Sequence, residues 1–149
     1  MTPSEHDLWF LPLGGCGEIG MNMNLYGHNG SWLMVDCGIT FGRPGEPGPH
    51  VQMPDPQFIA ERREALTALV ITHAHQDHLG AVVDLWPQLR CTVYATPFAA
   101  AMLEGPLKEA GLKGQVKNGD TLSGTSGRWF QPLSLGSAMS VPVRGARAV

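Results

Sequence analysis

The chain has 149 residues, a formal net charge of −3 and 43% hydrophobic residues, which is enough for one packed domain or part of one. This charge argues against a globally basic surface for nucleic acids, although it leaves room for a local basic channel. Three widely spaced cysteines, Cys16, Cys37 and Cys91, form neither a CxxC motif nor an even-numbered disulfide framework, so we expect reduced, buried thiols. The early apolar run 8–13 is too short for a signal or membrane segment, so we predict a cytoplasmic protein outside the membrane.

The first third of the chain predicts strands around a glycine-rich loop. Residues 8–13 form an apolar run, and the loop 14–20 that follows lacks the GxGxxG register and leads into another strand. It therefore indicates a tight turn beside a site rather than a nucleotide-binding loop. Asn29-Gly30 lies between apolar runs, which predicts a hairpin with a type I′ turn. Asp36 ends the second strand of that hairpin, and it either points into a site or caps a turn.

The middle of the chain alternates predicted loops, helices and strands. Residues 40–56 are rich in proline and glycine and are predicted to form a loop. We expect Gly105-Pro106 to bend or split the last helix. The predicted strands are 8–13, 23–28, 31–36, 68–72, 91–95 and 113–117, the predicted helices are 57–65, 78–87 and 97–110, and residues 118–120 are predicted as a turn. The predicted core consists of Leu11, Leu25, Leu33, Val35, Leu69, Ile71, Val82, Val93 and Tyr94.

A histidine-rich motif, I-T-H-A-H-Q-D-H-L-G, occupies residues 71–80, where a strand is predicted to give way to a helix. His73 and His75 are two residues apart, so in an extended turn they can point the same way and share one metal. Asp77 and His78 lie in the next turn and can reach a second metal; imidazole and carboxylate both suit Zn²⁺. Two such metals, roughly 3.5–4 Å apart, can activate water and clamp a phosphodiester. The alternative is a solvated polar loop that is merely rich in histidine.

The last part of the chain has a different composition. From residue 121 to residue 149 there is no Asp, Glu or His, and residues 142–149 show neither strand alternation nor a helical face. We therefore predict a domain over residues 1–122 and an atypical tail over residues 123–149. An Ala-, Gly-, Val- and Arg-rich tail is what an out-of-frame reading of a GC-rich gene would encode, so we expect a truncated or frame-shifted end.

Three stretches together carry a family resemblance: L-G-G-C-G-E-I-G-M-N at 13–22, V-D-C-G at 35–38 and the histidine motif at 71–80. The sequence resembles the metallo-β-lactamase superfamily, and most closely the N-terminal part of the ribonuclease J group among the β-CASP RNA-processing nucleases. The likeness runs from about residue 8 to about residue 122. It implies an α/β (α+β) fold, a metallo-β-lactamase αββα sandwich that is present here in part.

The resemblance also implies a role for each site residue. His73 and His75 would ligate a first zinc, Asp77 and His78 a second, and Asp77 would also contact the catalytic water. Asp36 would orient the metal-binding loop without ligating. The implied cofactor is two Zn²⁺ ions, or Mn²⁺ in their place. The implied activity is hydrolysis of RNA by a metal-bound hydroxide, as a 5′ exonuclease or an endonuclease.

The sequence also departs from the family pattern. No histidine follows His78, although the family supplies further ligands downstream, and the chain is too short for the β-CASP domain. Three interpretations stay open at this point. The chain is an incomplete, weakly active or inactive ribonuclease J-like hydrolase; a hydrolase of thioesters or lactones; or a non-catalytic metal-binding remnant.

Overall fold

The computed structural model describes residues 2–45 and 47–112, together with the backbone of residues 131–132. The strands of this part of the chain are β1 (Trp9–Gly14), β2 (Met23–His28), β3 (Ser31–Val35), β4 (Thr40–Phe41), β5 (Val51–Gln52), β6 (Leu66–Ile71), β7 (Thr92–Ala95) and β8 (Gln131–Pro132). The helices are α1 (Gln57–Ala60), α2 (Gln76–Leu79), α3 (Val82–Leu89) and α4 (Pro97–Glu109).

The main sheet is mixed, with strand order β1-β2-β3-β6-β7-β8. β1, β2 and β3 are antiparallel neighbours, whereas β3, β6, β7 and β8 are parallel. Asn29 and Gly30 have φ angles of 46° and 73°, so the predicted type I′ turn is confirmed. Because β3 and β6 are parallel and Val35 pairs with Val70, the segments that follow them leave the same edge of the sheet. The predicted α/β class, with a mixed sheet and flanking helices, is confirmed.

One face of the central strands β2, β3, β6 and β7 is fully buried. Leu25, Met34, Leu69 and Val93 lie in register on four successive strands and have no exposed surface. They belong to one packed cluster with buried side chains of α1, α3 and α4. Burying an aliphatic side chain of this size stabilises the fold by about 1.5–3 kcal/mol. This face is therefore the core that holds the strand ends, and hence the site, in place.

The opposite face explains the part of the predicted core that is wrong. Leu33 and Val35 are only half-buried, because they share a face with Tyr26, which is 40% exposed. Alternate residues of a strand point to opposite faces, and β3 instead buries Trp32 and Met34. Leu11 is half-buried for another reason: it pairs with Leu25 on the buried face but lies on the edge strand β1. The other predicted core residues are buried as expected: Leu25, Leu69, Ile71, Val82, Val93 and Tyr94.

Several predicted elements differ in their bounds. The helix predicted over 57–65 is α1 followed by a 3-10 turn at Arg63–Ala65, and the helix predicted over 78–87 is α2 plus α3. Pro106 does not split α4, because Leu103 and Leu107 are buried on either side of it and anchor the helix. The loop predicted over 40–56 contains the short hairpin β4–β5. The predicted strand 113–117, the turn 118–120 and most of the tail 123–149 lie outside the described residues.

Two further sequence predictions concern the thiols and the membrane. Cys37 and Cys91 are buried free thiols, as predicted, but Cys16 is exposed, because it lies on the outer turn of the glycine-rich loop. In the described part of the chain, no helix has the length and apolar character needed to cross a membrane.

Candidate metal centre

Three loops meet at the edge of the sheet where β3 and β6 end. The main-chain amide of Met21 donates to the carbonyl of Ile39 at 2.9 Å, which joins the glycine-rich loop to the segment after β3. The amide of Cys37 then donates to the carbonyl of His78 at 2.8 Å, and the amide of Ile39 to that of Gln76 at 3.0 Å. These backbone bonds hold the histidine motif against the segment that carries Asp36.

Gly38 permits this close approach. A Cβ atom at Gly38 would overlap the main-chain carbonyl of Asp77 and crowd the amide of His78. No side chain therefore fits between the two loops, and the sequence Asp-Cys-Gly places glycine where the loops touch.

Asp36 lies behind the histidines and is only 5% exposed. Its carboxylate accepts hydrogen bonds from the amide of Thr72 at 2.8 Å, from the hydroxyl of Thr72 at 2.9 and 3.0 Å, and from Nδ1 of His78 at 2.8 Å. Its backbone φ is 63°, in the left-handed region, which costs a non-glycine residue on the order of 1–3 kcal/mol. The surrounding contacts hold this strained residue, and a buried carboxylate with three donor groups is a rigid anchor for the motif.

Asp77 and His78 form one pair of possible metal donors. With Nδ1 of His78 directed at Asp36, its Nε2 lies 3.2 Å from Oδ2 of Asp77. Both the main-chain amide and the side-chain amide of Asn22 donate to the carbonyl of Asp77 at 3.0 Å. The same side-chain amide lies 3.5 Å from Oδ2 of Asp77 and from Nε2 of His78. The Asp77–His78 pair is therefore held by a hydrogen bond from His78 to Asp36 and by hydrogen bonds from Asn22 to Asp77.

His73 and His75 form the other pair. Nε2 of His73 lies 3.2 Å from Nδ1 of His75, and Nδ1 of His73 lies 3.0 Å from the hydroxyl of Thr72. The His73 ring also packs on the His78 ring, with centroids 3.9 Å apart, so the two pairs adjoin. His75 is exposed, and within the described residues its imidazole has a hydrogen-bonding contact with His73 alone.

The donor spacing can be compared with what a metal requires. Two ligands bound to a tetrahedral Zn²⁺ at about 2.0–2.1 Å lie roughly 3.3 Å apart. Both pairs have donor atoms 3.2 Å apart, so each fits two positions of a tetrahedral ion. However, residues 2–45 and 47–112 contain no group of three or more His, Cys, Asp or Glu side chains arranged to hold one ion. The described residues therefore offer metal donors only in pairs.

The structure brings all five predicted site residues together: His73, His75, Asp77 and His78 at the strand end, with Asp36 behind them. Sequence reasoning missed Thr72 and Asn22, which contact them. The position of Thr72, directly between the strand and His73, could have indicated it. Nothing local indicated Asn22, because its contacts span 55 and 56 residues of sequence.

Comparison with known proteins now identifies the family. The sequence profile of the metallo-beta-lactamase superfamily matches residues 17–136, most of the chain. The chain belongs to the metallo-β-lactamase superfamily. Membership in this superfamily implies a metal cofactor.

The chain is also similar to curated proteins named Ribonuclease J. It is 56% identical to that of Sinorhizobium meliloti over 104 residues, 67% of this chain and 18% of that protein. It is 40% identical to that of Mycolicibacterium smegmatis over 104 residues, 68% of this chain and 18% of the relative. The chain is 35% identical to that of Helicobacter pylori over 110 residues, which is 74% of this chain and 16% of the relative. The predicted resemblance to the ribonuclease J group is confirmed, and the chain spans less than a fifth of the length of these relatives.

Proposed function

We propose that the strand-end cluster is a two-metal centre that hydrolyses the phosphodiester bonds of RNA. The observation that carries this proposal is the arrangement of two adjoining donor pairs, His73 with His75 and Asp77 with His78, each with donor atoms 3.2 Å apart. Imidazole and carboxylate donors suit Zn²⁺, and Mn²⁺ is the alternative ion.

Each residue has a part in this proposal. Divalent ions bound here would supply Lewis acidity and an activated water, which is the chemistry of phosphodiester hydrolysis. His73 and His75 would hold the first ion and Asp77 and His78 the second, with Asp77 also orienting the attacking water by a hydrogen bond. Asp36 would ligate neither ion. It would keep His78 turned so that Nε2 faces Asp77, as the 2.8 Å bond to Nδ1 supports.

RNA is proposed as the substrate because the chain is similar to proteins named Ribonuclease J. The net charge of −3 offers no general attraction for a polyanion, so RNA binding by this chain would depend on the metals and on local contacts. A cytoplasmic location stays a prediction from the sequence.

A second candidate function is metal binding without turnover. Catalytic zinc sites usually have three protein ligands and a water, whereas the described residues supply two donors for each ion. Ions held by two protein donors exchange readily, and water would then be activated only part of the time. We therefore expect the 149-residue chain, taken alone, to be a weak hydrolase or an inactive one.

The test is to purify the 149-residue chain, load it with Zn²⁺ or Mn²⁺ and assay a 5′-monophosphorylated RNA beside a thioester and a lactone. We expect RNA cleavage below the usual range of about 1–10³ s⁻¹, lost in His75→Ala and in the presence of a chelator. Metal binding without cleavage of any substrate would favour the second candidate. Cleavage of the thioester or lactone in preference to RNA would contradict the proposed substrate.

A further inference from the structure

We propose that the hydroxyl of Thr72 is a positioning group that fixes which ring nitrogen of His73 faces His75. Through it, the Asp36 carboxylate sets the orientation of rings in both donor pairs. The significance for metal binding rests on the proposed function, but the ring state of His73 does not depend on it.

The hydroxyl oxygen of Thr72 contacts both Asp36 and His73. Oγ1 of Thr72 lies 2.9 and 3.0 Å from the two carboxylate oxygens of Asp36 and 3.0 Å from Nδ1 of His73. A hydroxyl has one hydrogen to donate, and an ionised carboxylate can only accept. The hydroxyl hydrogen is therefore directed at Asp36.

The direction of the next hydrogen bond follows from the first. Since its hydrogen is used, the Thr72 hydroxyl can only accept from His73, so Nδ1 of His73 must carry the proton. Nε2 of His73 is then left with its lone pair, and this is the nitrogen 3.2 Å from His75. A metal binds the unprotonated nitrogen of a neutral imidazole, so this tautomer presents the correct atom.

Asp36 acts on His78 in the same sense but without an intermediary. Its Oδ2 lies 2.8 Å from Nδ1 of His78, so that nitrogen donates and Nε2 is left facing Asp77. One buried carboxylate thus sets a ring in each pair, directly for His78 and through a hydroxyl for His73. The amide of Thr72 also donates to Asp36 at 2.8 Å, which keeps the hydroxyl in position.

Long-range ¹⁵N–¹H correlation spectra of the imidazoles of the metal-free 149-residue chain test this directly. The variants are Thr72→Val, which keeps the branched shape without the hydroxyl, and Thr72→Ser, which restores the hydroxyl. Thr67→Val, at a half-buried position in β6, the strand that ends directly before Thr72, is the control. We expect His73 to be protonated at Nδ1 in the wild type, Thr72→Ser and Thr67→Val, and to shift toward the Nε2 form in Thr72→Val.

A second readout connects the ring state to the metal. Loss of an outer hydrogen-bond partner typically lowers metal affinity about 10–100-fold, and we expect this loss for Zn²⁺ in Thr72→Val and its recovery in Thr72→Ser. An Nε2-protonated His73 in the wild type, or an unchanged tautomer in Thr72→Val, would overturn the inference. Even if Thr72→Val does not fold, an Nε2-protonated His73 in the wild type or in Thr72→Ser would overturn the inference.

The two proposals fail separately. If the wild type binds no Zn²⁺ while the His73 tautomer responds to Thr72 as described, the proposed metal centre fails and the positioning role of Thr72 stands. If Zn²⁺ binds and the His73 tautomer is unchanged in Thr72→Val, the positioning role of Thr72 fails and the proposed metal centre stands.

Discussion

The two donor pairs differ in how firmly the fold holds them. His78 is 21% exposed at its side chain, and its ring is bound to a buried carboxylate, while Asn22 holds the main chain of Asp77. His75 is exposed and His73 is held through the hydroxyl of Thr72. The Asp77–His78 pair is therefore preorganised by the meeting of three loops, whereas the His73–His75 pair is held by the Thr72 hydroxyl and by packing of the His73 ring on His78.

The rigidity of the site comes from hydrogen bonds between its loops. The firm pair lies where the glycine-rich loop, the Asp36 segment and the histidine motif exchange backbone hydrogen bonds. Rigid contacts of this kind keep ligands near their productive geometry before a metal arrives. The looser pair extends from the strand end toward solvent, so we expect it to bind its ion more weakly.

Replacing Asp36 with Ala should loosen both pairs, because Asp36 accepts from His78 directly and from the Thr72 hydroxyl that contacts His73. The change leaves the Thr72 and His78 donors without their acceptor, at a position that is itself buried. We expect Zn²⁺ affinity to fall roughly 10–100-fold, measured by competition with a chromophoric chelator.

Asp36→Asn is the matched variant, because asparagine tolerates the left-handed backbone but has one side-chain acceptor oxygen where Asp36 uses two. If Asp36→Asn keeps wild-type affinity and Asp36→Ala does not, the backbone conformation of residue 36 matters rather than its carboxylate.

Gly38→Ala should loosen the firm pair without removing any polar group. The new methyl would overlap the carbonyl of Asp77, and overpacking of this kind typically costs about 1–3 kcal/mol. Chemical denaturation should show this loss in the free energy of unfolding. Gly105→Ala in α4 is the control, since a Cβ there meets nothing within 4 Å, and it should stabilise the protein by about 0.5–1 kcal/mol. Equal effects of the two changes would mean that the loops do not touch as described.

Thiol labelling should report how the segment that carries Asp36 and Cys37 packs. We expect a smaller effect than those of the substitutions above. Burial raises the pKa of the Cys91 thiol to about 12 and also raises that of Cys37, which adjoins Asp36, so both should resist alkylation at neutral pH. Cys16 is exposed and should react readily. In Asp36→Asn we expect Cys37, but not Cys91, to react faster, as mass spectrometry of labelled peptides would show. Fast labelling of Cys37 in the wild type would contradict the packing of this segment.

The sequence predicted most of the strands and all five clustered site residues, because each signal was local. Asn29-Gly30 specifies its own turn, and the histidines follow their strand directly. Which face of β3 is buried was not predictable, since Trp32 and Met34 compete with Leu33 and Val35 as equally apolar alternatives. Which of these two pairs of side chains is buried depends on the register in which β3 pairs with β6. The role of Asn22 depends in the same way on contacts more than 50 residues away.

The central claim, that two adjoining donor pairs bind two metal ions, is tested most directly by the stoichiometry of Zn²⁺ binding to the purified 149-residue chain. The measurement compares the wild type with His75→Ala, His78→Ala and His50→Ala, the last being an exposed histidine outside the cluster. We predict two bound ions in the wild type and in His50→Ala, with the tighter ion lost in His78→Ala and the weaker one lost in His75→Ala. Binding that is unchanged in both site variants, or reduced equally in His50→Ala, would contradict the account.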